Sequence, residues 1–350
     1  MTNTRDKSLD RLRGFAMLWV IVVHVLYWGF FFSNSHVQML MSFGLFEMPL
    51  FFFITGASNR FSREDRYGAF VFKRFRRVLI PYWVFALLCA VLSVVKYSAE
   101  GTMNLLTAGK ILLSWLIPAD RQMTSVPYLT WALWFVPVYL CIVPVLPLFL
   151  RVRRCRWSGA FGALLLAIFA GSCLLKLTWL QTPAFYAMWT YIGLFYGEIT
   201  AATKQKKNRR FLFAAVGVGA AAIAALYLAG VPVNMQHNKF PPTLVFLIYS
   251  AAAMAGILLV HPQLDRLLAV LEAHKLTAKL FALYSRRSMT VFLYQVFAFQ
   301  LTIPLTNWLI PGSGLPAEAA KFLFCLAVTV PLCGALAACL GRIEDIGSRK

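Results

Sequence analysis

The sequence predicts an all-α integral membrane protein with about ten transmembrane helices and both termini in the cytoplasm. Hydrophobic residues make up 60% of the 350 residues and charged residues only 13%, so most of the chain must lie in lipid or pack against segments that do. Apolar runs long enough to cross a bilayer recur along the chain, and lysine and arginine cluster between alternate runs. This pattern is typical of a polytopic membrane protein.

At roughly 20 apolar residues per crossing, ten spans are predicted. They are about 14–32, 39–58, 78–96, 128–150, 159–176, 183–202, 210–230, 243–260, 284–304 and 318–340. The first follows a basic N-terminus, but it is too long for a signal peptide and lacks an A-x-A cleavage signal, so we expect it to remain in the protein. The amphipathic segment 105–116 is too short to cross and predicts an interfacial or re-entrant helix.

The basic residues predict the orientation of these spans. About 28 of the 34 lysines and arginines fall on the side of the N-terminus, and this side is the cytoplasm by the positive-inside rule. A missed span would move the clusters RVRRCR (151–156) and KQKKNRR (204–210) to the wrong side. We therefore expect a multi-pass protein of the inner (plasma) membrane. We also expect one transmembrane domain over residues 1–350, with no fused soluble domain.

Charge and cysteine content exclude other classes of protein. The net charge of +21 would suit a nucleic-acid-binding protein, but the basic residues lie in short clusters between apolar spans, so no nucleic-acid partner is expected. The seven cysteines lie mostly inside apolar spans without the close spacing of a disulfide framework or a metal site. We expect them to be small buried side chains, and we expect no bound metal.

The first span carries the residues that point most directly to chemistry. Arg13 and His24 are eleven residues apart, which on a helix places them within about 20° of each other and about 16 Å apart along the axis. Asp10 lies near the same face and completes a polar stripe. Each residue also has a purely structural interpretation. Arg13 could extend to the cytoplasmic boundary and Asp10 could cap the start of the helix. His24 could be a hydrogen-bonded histidine of the core. An ionisable side chain at bilayer depth nevertheless predicts a functional role, and a neutral imidazole can act as a general base.

Glu47 is the other ionisable residue whose position inside the bilayer costs free energy. It lies in FEMPLFFFITG (46–56) of the second span. It lies at about the same depth as His24, roughly 18 Å from the cytoplasmic end of its helix. Because consecutive antiparallel spans usually pack together, Glu47 is a candidate to orient His24 or share its proton. The alternative is a protonated carboxyl, or one bonded to a hydroxyl on another helix. The loop HNKFPP (237–242) predicts a turn, in which His237 and Lys239 are weaker candidates for contact with a polar acceptor.

The loop between the second and third spans carries more basic residues than the positive-inside rule explains. Its cations are Arg60, Arg63, Arg66, Lys73, Arg74, Arg76 and Arg77, against only Glu64 and Asp65. Guanidinium groups clamp phosphate in a bidentate way, so this loop predicts a site for a multiply charged anion such as a nucleotide or coenzyme A. Arg74 and Arg77, at helical spacing, would point toward the same ligand. Anionic lipid is the alternative partner.

In order along the chain, LDRLRGFAMLWVIVVH (9–24), MPLFFFITG (48–56), FKRFRRVLIPYW (72–83), LWF (133–135) and SMTVFLYQ (288–295) resemble the motifs of the membrane acyltransferase-3 family. The resemblance covers essentially the whole chain. It rests most on an arginine followed by a histidine, Arg13 and His24, and on an Arg-x-x-Arg motif, Arg74 and Arg77. Members of this family O-acylate glycans, peptidoglycan, lipids and small molecules.

The resemblance implies an acyltransferase that uses cytosolic acetyl-CoA as acyl donor and a glycan, lipid-linked sugar or similar extracytoplasmic hydroxyl as acceptor. Arg74 and Arg77, with Lys73 and Arg76 beside them, would bind the phosphates of the coenzyme. Arg13 would position the donor or stabilise oxyanion charge, and His24 would take the proton of the acceptor hydroxyl or transiently accept the acyl group. Candidate contacts with substrate are Asp10, Trp134 and Gln295, and Gln295 stands where many members have histidine.

Two other classes remain open from the residues alone. Ten spans with buried His24 and Glu47 would also suit a proton-coupled transporter, although the chain lacks the two halves of similar hydropathy that carriers built on inverted repeats usually have. A catalytically inactive scaffold is favoured only by Gln295 in place of histidine. Only the enzyme hypothesis predicts that a thioester is consumed, so this measurement distinguishes it from the transporter and the scaffold.

Overall fold

A computed structural model describes residues 6–60, 62, 66–118 and 122–348. The predicted basic residue Arg63 and its acidic neighbours Glu64 and Asp65 lie outside these ranges. The fold is all-helical, and the part of the chain that is described contains no β-strand, only an isolated bridge between Lys239 and Pro242. The all-α part of the predicted fold class is therefore confirmed, and the cytoplasmic position of both termini stays a prediction.

The helices are, in chain order, α1 (Lys7–Trp28), α2 (Ser35–Ser42), α3 (Glu47–Asn59), α4 (Tyr67–Ala99), α5 (Leu105–Leu116), α6 (Phe135–Ile142), α7 (Leu146–Val152), α8 (Ser158–Leu174), α9 (Thr178–Gly193), α10 (Tyr196–Ala202), α11 (Lys206–Leu228), α12 (Met235–Lys239), α13 (Leu244–Ala273), α14 (Lys275–Arg286), α15 (Ser288–Leu309), α16 (Leu315–Leu340) and α17 (Ile343–Ser348). A short 3₁₀ turn, Val143–Val145, lies between α6 and α7.

Within the described ranges, seven helical segments are long and apolar enough to cross a membrane. They are Ser35–Asn59, Tyr67–Ala99, Phe135–Val152, Lys206–Leu228, Leu244–Ala273, Ser288–Leu309 and Leu315–Leu340. The other three predicted spans fall on α1, α8 and α9, of which α8 and α9 have only 17 and 16 residues. The chain is thus a multi-pass membrane protein, while the total of ten crossings stays a prediction. Helix α5 has the predicted bounds.

The helices group into two compact units. Unit 1 comprises Met1–Ala16, Phe32–Arg63 and Val145–Phe281, and unit 2 comprises Met17–Phe31, Glu64–Pro144 and Ala282–Lys350. Helices α1 and α14 contribute residues to both units. In unit 1 the main packing partners are α3 with α9, α8 with α9, and α11 with α13; in unit 2 they are α15 with α16, and α4 with α5, α15 and α17.

Two glycines allow a close helix crossing in unit 1. A Cβ atom on Gly56 of α3 would overlap the backbone carbonyl of Thr190 in α9, and one on Gly193 of α9 would overlap the carbonyl of Phe53 in α3. The two backbones therefore touch where side chains would otherwise separate them. Small residues at such crossings are how membrane helices gain close packing in the absence of a hydrophobic driving force between them. This crossing fixes α3, the helix that begins with Glu47.

We expect Gly56→Ala and Gly193→Ala each to destabilise the protein, because the obstructing atoms belong to the backbone and cannot rotate away. Overpacking of this kind costs about 1–3 kcal/mol, and more where the backbone must move. The measurement is the midpoint of thermal unfolding in detergent. Gly171→Ala in α8 is the matched control, because its Cβ would meet nothing within 4 Å. Equal midpoints for all three variants would contradict the close crossing.

In unit 2 a buried tyrosine of α4 holds the C-terminal end of the short helix α5. The hydroxyl of Tyr82 donates to the backbone carbonyls of Trp115, at 2.9 Å, and of Ile117, at 3.1 Å. These are carbonyls near the C-terminal end of α5, which have no partner within the helix. The amphipathic helix is thereby fixed to the long helix that carries the basic segment.

The cysteines only partly follow the prediction of burial. Cys89, Cys325 and Cys333 are buried, and Cys173 is half-buried. The prediction is wrong for Cys141, Cys155 and Cys339, which are exposed. Cys141 and Cys339 lie in apolar helices, whose outer faces accept small apolar side chains when they face lipid. All seven have free thiols.

Candidate active site

His24, on α1, is held by a glutamine of α15 in unit 2. Its Nδ1 lies 2.9 Å from Oε1 of Gln295, which is completely buried. The amide nitrogen of Gln295 donates to the backbone carbonyl of Phe292 at 2.8 Å, so the amide oxygen is the atom that faces the imidazole. A carbonyl oxygen can only accept, so Nδ1 carries the proton and donates it to Gln295. When the ring is neutral, Nε2 is the nitrogen that can accept a proton.

Aromatic rings pack around this histidine. Trp28, one helical turn further along α1, stacks on the imidazole with ring centroids 3.9 Å apart and planes 10° apart. Phe299 meets both rings edge-on, at 6.3 Å from His24 and 5.2 Å from Trp28. Tyr128 and Trp131 pack against the indole of Trp28. The rings restrict rotation of the imidazole and so fix the direction of its Nε2 atom.

Arg13 and Asp10, predicted to share one face of the first helix, contact each other in unit 1. Nη1 of Arg13 donates to Oδ1 of Asp10 at 3.2 Å, and Nη2 donates to the hydroxyl of Ser58 in α3. Both side chains keep about a fifth of their surface exposed. The carboxylate and the hydroxyl thus hold the guanidinium in one orientation, and Asp10 supports Arg13 through the i, i+3 spacing of the helix.

Glu47 and Lys239 form a buried ion pair in unit 1. Oε1 of Glu47 contacts Nζ of Lys239, and the two side chains are only 1% and 5% exposed. The second oxygen of Glu47 is also buried and accepts no hydrogen bond from the described residues. Lys239, a weaker candidate for contact with a polar acceptor, is thus buried and paired with Glu47. The hydrogen bond seen at His24 is made with Gln295, and the role of Glu47 in orienting His24 or sharing its proton stays a prediction.

The predicted donor site lies on the first turns of α4 in unit 2. Arg74 and Arg77 are three residues apart on this helix, as predicted from their spacing. The guanidinium of Arg74 lies 3.3 Å from the ring centroid of Phe70. Lys73 and Arg77 are exposed, and Arg76 is half-buried and donates to the backbone carbonyl of Ile346 at 3.0 Å. Lys73 and Arg77 are therefore the most accessible cations of this segment.

The C-terminal helix α17 packs beside this basic segment and contacts the start of α15. Oε1 of Glu344 accepts from the backbone nitrogen of Thr290 at 2.7 Å and from its hydroxyl at 2.6 Å. Arg287 donates to both oxygens of Asp345, at 2.7 and 2.6 Å. Burial raises the pKa of Glu344, although the Thr290 bonds and the charges of Arg77 and Arg287 oppose the rise. The bond to Asp345 raises the pKa of Arg287.

Glu344 thus caps a helix that has no side-chain cap of its own. The residue before α15, Arg287, makes no capping hydrogen bond, and the free backbone nitrogen of Thr290 is satisfied by the Glu344 carboxylate instead. Gln295 follows Thr290 by five residues on the same helix. The C-terminal helix therefore helps to fix the helix that orients His24, and nothing in the local sequence of α15 pointed to it.

The aromatic residue predicted to contact substrate is Trp134, which is half-buried at the N-cap position of α6. The rings of Tyr128, Trp131 and Phe299 pack beside His24 and Trp28. Sequence reasoning missed this cluster. One signal was present, because His24 and Trp28 have the i, i+4 spacing of neighbours on a helix.

The acyltransferase-3 family model, described as an acyltransferase domain, matches residues 6–338. This match includes every motif from which the resemblance was predicted, among them the residues of the His24 and Arg74 sites. Comparison with curated proteins and with solved structures gives no match. Because the family model spans essentially the whole chain, the resemblance is confirmed. The protein belongs to the acyltransferase-3 family and is a membrane acyltransferase.

Proposed function

We propose that the protein is an O-acyltransferase that moves an acetyl group from cytosolic acetyl-CoA to a hydroxyl of a glycan or lipid-linked sugar outside the cytoplasm. The observation that carries the proposal is the hydrogen bond from Nδ1 of His24 to Gln295, because it leaves Nε2 as a base of fixed direction. The family supplies the reaction class. The donor, the acceptor and the role of each residue are our inference.

In the proposed reaction, Nε2 of His24 takes the proton of the acceptor hydroxyl while the oxygen attacks the thioester carbonyl. The carbonyl oxygen becomes an oxyanion in the tetrahedral intermediate. Arg13 is the proposed group that positions the donor. The carbon–sulfur bond then breaks, the thiolate leaves and receives the proton from His24, and the products are an ester and free coenzyme A. In an alternative path, Nε2 of His24 first takes the acyl group itself and then passes it to the acceptor. This path gives the same two products.

For the donor we propose the basic segment of α4, with Arg74 and Arg77 on the phosphates and Lys73 and Arg76 beside them. The support is an accessible set of cations at the start of one helix. For the membrane arrangement we propose ten crossings of the inner membrane with both termini in the cytoplasm, which places this segment on the side of the coenzyme. Asp10 and Trp134 remain proposed contacts with substrate.

We expect Arg74→Ala/Arg77→Ala to raise the KM for acetyl-CoA by about tenfold or more while kcat changes less. Each lost hydrogen bond to a charged group is worth about 1.5–3 kcal/mol, and 1.36 kcal/mol corresponds to a factor of ten. Steady-state kinetics with varied acetyl-CoA measure this. The matched control is Lys96→Ala, at the far end of the same helix, where the lysine pairs only with exposed Glu100. An unchanged KM in the double variant would leave anionic lipid as the partner of this segment.

Gln295 gives a second test, of the proposed state of His24. We expect Gln295→Met, which keeps the size but removes the acceptor, to lower kcat by about fivefold, since one hydrogen bond of about 1 kcal/mol fixes the imidazole. Gln295→Glu retains an acceptor for the Nδ1 proton and should keep most of the activity. If the methionine variant matched wild type while folding normally, the orienting role of Gln295 would be wrong.

A further inference from the structure

Unit 1 contains a polar cavity that the proposed reaction does not use. Its volume is ≈ 550 Å³, within the range of about 300–1,000 Å³ that is usual for small-molecule sites. The wall is formed by the start of α1, the end of α3, helix α10, the start of α11 and the middle of α13. All of these segments belong to unit 1.

The deepest cation of the cavity is Arg60, whose side chain is only 10% exposed. Its Nη2 donates to Oδ2 of Asp6 at 2.9 Å, and its guanidinium lies 5.0 Å from the ring centroid of Tyr196. The absence of a side chain on Gly197 makes room for it, because a Cβ there would lie 2.8 Å from Nη1. The guanidinium is therefore held in place before any ligand arrives.

Two further cations line the cavity at its exposed side. Lys204 lies just before α11 and Arg209 lies in its first turn, and neither forms an ion pair with any residue that the structure describes. The acids of the cavity are already engaged, since Asp6 binds Arg60 and Asp265 binds Arg11 at 3.3 Å. Two positive charges are thus available to an incoming anion.

Hydroxyl groups complete the wall. Nε2 of His261 lies 3.3 Å from the hydroxyl of Ser8 and 3.1 Å from that of Tyr196. Thr200 and Thr203 add two more hydroxyls beside the cations. A ligand that matches this wall is polar and anionic, with oxygen atoms for the lysine and arginines. Phosphate meets these requirements, because arginine binds it through two parallel hydrogen bonds and lysine as a point charge.

We infer that this cavity binds the phosphate groups of a nucleotide-sized anion through Arg60, Lys204 and Arg209. The same chemistry is offered by two sources, the nucleotide end of the acyl donor and a separate phosphate-bearing molecule. The inference does not depend on acyl transfer, since it concerns binding alone. It adds a second anion site in unit 1 to the basic segment of α4 in unit 2.

The test is equilibrium binding of radiolabelled ADP to the purified full-length protein in detergent. The Arg74→Ala/Arg77→Ala variant is the background, so that ADP bound at α4 does not mask the cavity. In this background we expect Lys204→Ala/Arg209→Ala to weaken ADP binding by at least about tenfold, the loss of one or two charge-assisted hydrogen bonds. Lys206→Ala/Lys207→Ala removes the same charge from the first turn of α11 outside the cavity, and it should bind ADP as the background does.

The inference is overturned if the background variant binds no ADP, or if the two pairs of substitutions weaken binding equally, since general attraction by the basic surface would then explain it. Competition distinguishes the sources. Displacement of ADP by coenzyme A would assign the cavity to the donor, and displacement by inorganic pyrophosphate but not by coenzyme A would assign it to a separate molecule. Both results require a specific site in the cavity.

Discussion

Replacing His24 by alanine should lower the rate of acyl transfer by about 10²- to 10⁴-fold, the usual contribution of a general base. The variant loses the nitrogen that takes the acceptor's proton, while Gln295 and the surrounding rings remain. Because proton transfer belongs to the transition state, the loss should fall on kcat, and the KM for acetyl-CoA should change little. Steady-state kinetics on purified protein measure both constants.

His36→Ala is the matched control for this experiment, because His36 is an exposed histidine in α2 whose backbone, and not its side chain, takes part in the helix cap. This variant should keep wild-type kinetics. Gel-filtration profiles and yields of the two variants establish that both are folded. A folded His24→Ala variant with wild-type kcat would remove the histidine from the mechanism.

The substitution Glu47→Gln should reduce the free energy of unfolding by about 3–5 kcal/mol, because it leaves the buried ammonium of Lys239 without its carboxylate. Few residues in this chain should be as sensitive. Thermal unfolding in detergent, with intrinsic tryptophan fluorescence as the signal, measures the shift.

The double variant Glu47→Gln/Lys239→Met removes the uncompensated charge and should recover most of the lost stability, since replacing both members of a buried pair is often neutral. It also separates two roles of Glu47. If the carboxylate serves only the ion pair, the double variant recovers acyl transfer together with stability. A stable but inactive double variant would return Glu47 to the reaction, as a partner in proton transfer.

The helices were predictable from sequence to the extent that their signals are local. The apolar runs predicted the all-helical fold, and the amphipathic pattern predicted α5 with the bounds that the structure has. Helices α8 and α9 have only 17 and 16 residues, which is short for a crossing. The pattern of basic clusters, and not the length of these helices, is what favours ten crossings.

The site was predictable in its residues more than in its contacts. His24 and Glu47 were singled out because ionisable groups are rare at bilayer depth, and Arg13 because its spacing places it on the same helix face as His24. Their partners come from distant parts of the chain. Lys239 follows Glu47 by 192 residues and is the last residue of α12, in a polar segment whose sequence predicted a turn. Its burial therefore depends on packing that no local pattern records.

The contacts of Gln295 were also not predictable from the sequence. As a glutamine in place of a histidine, it was expected to contact substrate, and in the structure its amide is shared between His24 and the Phe292 carbonyl. Glu344 and Asp345 gave no signal at all, because a carboxylate that caps another helix looks like any surface acid in the sequence. Contacts of this kind are set by tertiary structure.

The most direct test of the central claim is transfer of labelled acetyl from acetyl-CoA supplied at the cytoplasmic face of inside-out vesicles from the native host, where the acceptor should already be present. Vesicles without the protein, and vesicles with the His24→Ala variant, are the controls. We predict alkali-labile label in a glycan or lipid fraction only with the wild-type protein. If wild-type protein, folded and supplied with acceptor, consumed no thioester, an acetyl-CoA-dependent O-acyltransferase with His24 as base would be contradicted.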